Sequence, residues 1–262
     1  MLKDDFGKDL LISGGNGNSL GDPIILESST AHDASWTEME VTRCIYSQLK
    51  WHWKLIDRVP VKNEGMSIEK FSCEVKHAEG EEVITEKRNF YFDVSKINLE
   101  GSLTTPVCGV NLGLGTGMGL PYQLGWFHFD GLINHEENYA GAGVSAAYSA
   151  PFTKATLYFY KNGETNIDGV KYPEVFEKEF AISSRDLLEA NPQAEELASR
   201  STPNLCFKSF QIDSAYSILI FSTVGNHFFK LRATIDPSNE KYTMDCFWES
   251  VNIIVGMVTK PS

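Results

Sequence analysis

Polar and apolar positions alternate most cleanly between Tyr139 and Lys161. There Ala155, Leu157 and Phe159 interleave with Thr156, Tyr158 and Tyr160, the period of two expected of a pleated strand with one buried face. Residues 142–149 read as its partner, with Ala150, Pro151, Phe152 and Thr153 as the turn. The aromatic density of this hairpin predicts a sheet centre against which later helices pack. Upstream, residues 1–19 read as a flexible polar arm, followed by a short strand at Asp22-Pro23-Ile24-Ile25-Leu26 with its proline at the start or edge. Ser28, Ser29 and Thr30 offer N-caps to a helix over 33–49, whose apolar face combines Trp36, Met39 and Cys44 with the row Val41, Ile45, Leu49. An aromatic strand over 51–56 is expected to end before Pro60. Residues 68–75 alternate only imperfectly, which predicts a bulge or a slipped register. A turn at 78–81 and a strand ending at 89–94 complete the first domain near Ile97.

Residues 98–138 carry the least regular pattern, with glycine at every second position from 113 to 119. This is not G-x-G-x-x-G, and no Lys-Ser/Thr follows to make a P-loop. The run reads as a loop or linker, with a backbone nest for an anion and close strand packing as alternatives. A strand from Gly125 to Asp130 is expected to open the second domain. Beyond the central hairpin, Asn162-Gly163 and Asp168-Gly169 mark turns, and Pro173 starts a helix over 173–190 with Val175, Phe176, Phe180, Leu187 and Leu188 as contacts. Pro192 and Pro203 punctuate its exit. Three strands follow at 206–212, 216–223 and 227–235, the last two joined by a tight turn at Gly225-Asn226. A closing helix over 242–258 presents Met244, Phe247, Trp248, Val251, Ile254 and Val255 on one side. The predicted class is α+β, with two domains of mostly antiparallel sheet packed with helices. The boundaries are an arm at 1–19, a small domain at 20–97, a glycine-rich linker at 98–124 and a second domain at 125–262.

Composition narrows the functional classes. Of 262 residues, 42% are hydrophobic and 22% charged, as in ordinary globular proteins. The net charge of −12 argues against nucleic acid, whose phosphates need clustered Lys and Arg. The part up to Asn98 carries −5 and the remainder −7, so neither is a charged tail. Such acidity favours solubility and can steer a basic protein partner toward the surface. The five cysteines are widely spaced without a C-x-x-C pair, which points to reduced, mostly buried thiols. The first residues lack a signal-peptide pattern, and no 18-residue apolar run occurs. A cytoplasmic protein without a membrane span is expected.

Two resemblances follow from strand signatures. Gly17-Asn18-Ser19, Asp22-Pro23-Ile24-Ile25, Glu38-Met39-Glu40, Trp53-Lys54-Leu55 and the closing Tyr91-Phe92-Asp93-Val94-Ser95 resemble a small bacterial α+β domain of unknown function with a "YFDIS"-like last strand. Gly143 to Tyr148, Ala155 to Tyr160 and His227 to Arg232 resemble an α/β sandwich of the Mog1/PsbP-like type. Together they cover most of 17–97 and 126–258, and neither implies a catalytic residue.

Motifs that could carry chemistry are incomplete. His128, Asp130, His135 and Glu136 could form a metal or hydrolytic site if the fold gathered them, but the run is not H-E-x-x-H. Ser67 and Lys70 fit S-x-x-K in a predicted strand rather than on a helix. Gly143-Val-Ser145-Ala-Ala147 lacks the final glycine of a nucleophile elbow. Cys206 and Cys246 sit at expected core positions, and His227 opens a strand expected at a sheet edge. The runs Trp51-His52-Trp53 and Trp126-Phe127-His128-Phe129 either form a domain interface or expose a patch for a partner. The leading expectation is a non-enzymatic interaction protein that uses Trp51, Trp53, Trp126, Phe129, His128, His135 and His227, with no cofactor or metal. In its most concrete form it is an acidic, immunity-type inhibitor of a basic toxin. The alternatives are a hydrolase built on the four acid and histidine residues, or a small-molecule binding module.

Overall fold

Backbone pairing and apolar burial produce an α+β architecture in the computed structural model, which describes residues 10–27, 31–63, 65–97, 109–111, 119–237 and 240–258. Two compact units result: residues up to Val110 with Pro121–Trp126, and Asn111–Leu120 with Phe127 onward.

In the first unit, β1 (Ile12–Gly14), β2 (Ile24–Leu26), β5 (Glu82–Asp93), β4 (Met66–Glu79) and β3 (His52–Asn63) lie side by side in that order. The β2–β5 pair is parallel and the others antiparallel, so this sheet is mixed. The expected flexible arm therefore contains a strand, because Ile12, Ser13 and Gly14 pair with Leu26, Ile25 and Ile24. β3 runs straight through Pro60. It is an edge strand, where a missing N–H costs no ladder bond. The irregularity expected within 68–75 falls instead on β3, where the register steps between Leu55 and Asp57 and leaves Ile56 as the bulge. What disturbs the β4 pattern is chemistry: Glu69, at 1% exposure, takes an inward position in line with buried Phe71, Cys73, Val75 and His77.

The helix α1 (Ala31–Leu49) packs Tyr46 against Trp53 and Phe90 at ring separations of 6.1 and 5.9 Å, and Phe71 continues the cluster to Phe92. Leu49 is exposed although it belongs to the expected apolar row, and Tyr46 is buried in its place. The expected caps at Ser28, Ser29 and Thr30 lie outside the described residues, as do residues 112–118 of the glycine run. The flanks of that run, β6 (Gly109–Asn111) and β7 (Gly119–Pro121), pair as a two-stranded sheet.

The larger sheet is antiparallel, with eight strands in the order β12-β13-β14-β15-β11-β10-β9-β8. Its members are β8 (Gln123–Leu124), β9 (Phe127–Asn134), β10 (Val144–Ala150), β11 (Thr153–Tyr160), β12 (Glu195–Thr202), β13 (Leu205–Ile212), β14 (Ala215–Val224) and β15 (His227–Ile235). The β10–β11 hairpin does sit inside the sheet, and its turn is the two residues Pro151 and Phe152. The helix α2 (Pro173–Ala190) matches the expected span, with Pro173 in its first turn. Phe176, Phe180 and Leu187 pack on Phe221, Phe210 and Leu219. Tyr160 Oη and Asn162 Nδ2 donate to the Glu179 carboxylate at 3.0 and 3.2 Å, which ties α2 to the end of β11. The helix α3 (Glu240–Val258) sets Phe247 and Trp248 against Phe127 and Phe207. Phe207 and Phe210 have opposite parity along β13, so the two helices cover opposite faces. That is why Ser217 through Ser222 of β14 are all buried.

Candidate functional site

The aromatic candidates are absorbed by packing. Trp53 and Trp126 are 2% and 0% exposed. The Trp126 ring carries the Lys54 and Lys76 ammonium groups at 4.5 and 5.0 Å, and Lys54 also pairs with Glu74 at 3.2 Å. Half-buried Trp51 stacks flat on His77 at 3.9 Å, with the Arg88 guanidinium 5.2 Å from its ring. Phe129 packs edge-on against Tyr148 at 5.5 Å and is buried, as is His128. Trp53, Trp126, His128 and Phe129 are thus buried rather than exposed as a patch, and Trp51 is half-buried. His227 is also buried, on β15, an interior strand between β14 and β11 rather than a sheet edge. Burial holds its imidazole below the usual value, and Lys161 adds to that shift while Glu136 opposes it.

The acid and histidine group does not converge. His128 and Asp130 occupy the start of β9, and His135 follows its end. Seven residues of strand at about 3.3 Å each separate the two ends by roughly 20 Å or more. At the first end Asp130 Oδ1 accepts from Ser149 Oγ at 3.0 Å. At the second, His135 Nε2 lies 2.8 Å from Ser145 Oγ. The Glu136 carboxylate is committed to its own loop, accepting the N–H groups of Gly141 at 2.9 Å and Gly143 at 2.7 Å. Those bonds hold its carboxyl below the usual carboxylate range. Among the described residues no three His, Cys, Asp or Glu side chains are arranged to hold a metal. Cys44, Cys73, Cys206 and Cys246 form no disulfide among the described residues, and the last three are buried; Cys108 lies outside the described residues. Ser67 and Lys70 are on β4, and Ser145 is the second residue of β10.

Sequence reasoning missed a buried polar network in the first unit. Arg58 of β3 places Nη2 2.7 Å from Glu38 Oε2, Nε 2.8 Å from Glu69 Oε1, and donates from Nη1 to Ser35 Oγ at 2.6 Å. Burial drives the Glu38 carboxyl well above the usual range against the opposing pull of Arg58, and burial raises the neighbouring Glu69 carboxyl as well. One guanidinium thus lies against two buried acids. Glu38 and Glu69 are 0% and 1% exposed, so no ligand reaches them, and the network acts as a lock between α1 and the sheet.

An open strand was missed as well. All eight residues of β12 are exposed, and among the described residues the strand pairs only with β13, at the end of the sheet. Its register steps between Glu196 and Ala198, leaving Leu197 as a bulge, and is regular from Ala198 to Thr202. Exposed edges are normally guarded by proline, lysine, bulges or a covering group. The β3 edge is guarded: it carries Pro60, and Gln123 Oε1 accepts the Leu55 N–H at 2.7 Å while its Nε2 donates to the Trp53 carbonyl at 3.1 Å. Beyond the bulge β12 has no proline, and its one charged residue is Arg200. Where it ends, Ser201, Thr202 and Pro203 face Pro173, Phe176 and Glu177 of α2 across a cleft of about 270 Å³. Its hydroxyls are engaged, with Ser201 Oγ 3.0 Å from Cys206 Sγ and Thr202 Oγ1 donating to the Leu205 carbonyl at 2.9 Å. No helix among the described residues is long and apolar enough to cross a membrane. No protein-family model matches the sequence, and no curated protein matches it.

Proposed function

We propose that this chain is a non-enzymatic binding protein that receives an extended, positively charged segment of a protein partner along β12. The observation that carries this reading is the run of eight exposed strand residues that, among the described residues, pairs with a neighbouring strand on one side only. An incoming strand adds main-chain hydrogen bonds there at no cost in new folding of the scaffold. Charge favours a basic partner. Between Glu164 and Arg200 the chain carries nine carboxylates against four Lys or Arg, which accounts for −5 of the −7 after Asn98. This excess surrounds α2 and β12, where it raises the rate of encounter with a cationic segment. In its most specific form the partner is a basic protein, such as a toxin, held inactive while bound. The four-residue hydrolase reading has less support, since its two ends are far apart on β9.

The experiment is an affinity capture from the native cell with the wild-type chain and with Ala198→Pro and Ser199→Pro, each at low and high salt. Consecutive strand N–H groups point to opposite sides, so one of these prolines blocks the outer edge without breaking the β13 ladder. One stoichiometric basic partner, held by the wild type and lost from the correctly folded proline variant and at high salt, is expected. A partner held equally by both proline variants, or no partner at all, overturns the reading.

A further inference from the structure

We infer that the cleft at the end of β12 is a subsite for one lysine or arginine side chain of the bound segment, an inference that rests on β12 being the binding edge. Facing residues of neighbouring strands project on the same side of a sheet. Ser201 faces Cys206 across the β12–β13 ladder, and Cys206 belongs to the cluster under α2 with Phe176 and Phe221. A residue added on the outer side of β12, opposite Ser201, therefore projects toward α2 and into the cleft. At about 270 Å³ the space is below the range of roughly 300–1,000 Å³ usual for drug-sized ligands, and it suits one long side chain. Its walls are the rings of Pro173, Phe176 and Pro203, which match the methylene stem of Lys or Arg. Its charged group is Glu177, a surface carboxylate with no hydrogen-bond or ion-pair partner among the described residues. Glu177 is the carboxylate in this lining, and the hydroxyl oxygens of Ser201 and Thr202 beside it keep lone pairs that can also accept from the cationic head.

The test measures the affinity of the full chain for two labelled peptides, acetyl-(Lys-Val)4-amide and acetyl-(Gln-Val)4-amide, by fluorescence anisotropy. The proteins are the wild type, Glu177→Gln, Glu174→Gln, Ala198→Pro and Ser199→Pro. Glu174 is exposed on the same helix but does not line the cleft, so its variant removes the same charge from the neighbourhood alone. Glu177→Gln is expected to weaken the lysine peptide about threefold to fivefold, Glu174→Gln by less than twofold, and neither to alter the glutamine peptide. Equal losses in the two glutamate variants, or equal wild-type affinity for both peptides, overturn the subsite while leaving the edge intact. Undiminished binding by both proline variants, or binding of neither peptide to the wild type, overturns the edge reading itself. Sedimentation of the chain alone closes the remaining route. Self-association that the folded proline variant abolishes would put a second copy on β12 and overturn both.

Discussion

Glu38 has no exposed surface, and its carboxyl lies against a guanidinium already committed to Glu69. Burial raises its pKa, so between the ordinary carboxylate range and the raised value the folded chain holds a proton that the unfolded chain has lost. Stability then falls as pH rises through that window. Glu38→Gln supplies a neutral group of the same shape that still donates to Glu69. Equal melting temperatures near pH 4 and a higher one for the variant at pH 8 are expected from calorimetry. A variant that melts lower at pH 8 would contradict the assignment of the proton. Arg58→Met strands the remaining carboxylate, and a loss of about 3–5 kcal/mol in urea unfolding is expected. This network left a trace in the sequence, since Glu69 interrupts the β4 alternation, but a pattern of apolar positions reads such an acid as a slip in register. Nothing in the sequence names Glu38 and Arg58 as its partners, because the contacts join a helix to two strands across 20 and 11 positions. The histidines and tryptophans drew notice as rare side chains, and rarity does not report whether a second layer covers them.

Among elements, those whose own residues dictate them were legible and those dictated by neighbours were not. The bounds of α2 follow from Pro173 at the start and Pro192 beyond its end. The β10–β11 hairpin follows from alternation. β12, with the sequence EELASRST, has no apolar alternation and is a strand because β13 pairs with it. Two measurements probe these elements. Gly143 precedes β10 at φ +68°, and a Cβ there would overlap the Phe159 carbonyl oxygen. Gly143→Ala is expected to destabilise by about 3 kcal/mol or more, read from denaturant midpoints, and a near-neutral result would contradict the close approach of this loop to β11. Phe210, fully buried beneath α2 with Leu187 and Leu219, anchors that helix. Phe210→Ala is expected to cost about 3–5 kcal/mol and to speed amide exchange across α2. A loss without faster exchange in α2 would place the damage elsewhere.

For the whole molecule, the α+β class was legible because three long helix-period segments and many short strands with turn signals leave few other architectures. The first unit takes back Pro121–Trp126 after the glycine run, an excursion that composition does not signal. Its physical sign is Gln123, whose amide completes the β3 edge. That closed edge and the open one at β12 form the contrast on which the functional account depends, and hydrogen–deuterium exchange of the full chain tests it most directly. In the free chain the outward amides of Glu195–Thr202 face no paired strand among the described residues and are expected to exchange within seconds, on a background of slowly exchanging β14 and β15. Saturation with acetyl-(Lys-Val)4-amide is expected to slow exchange in the fragment covering β12 and to change the rest of the sheet little. Protection that appears elsewhere while β12 keeps its free rate would contradict the account.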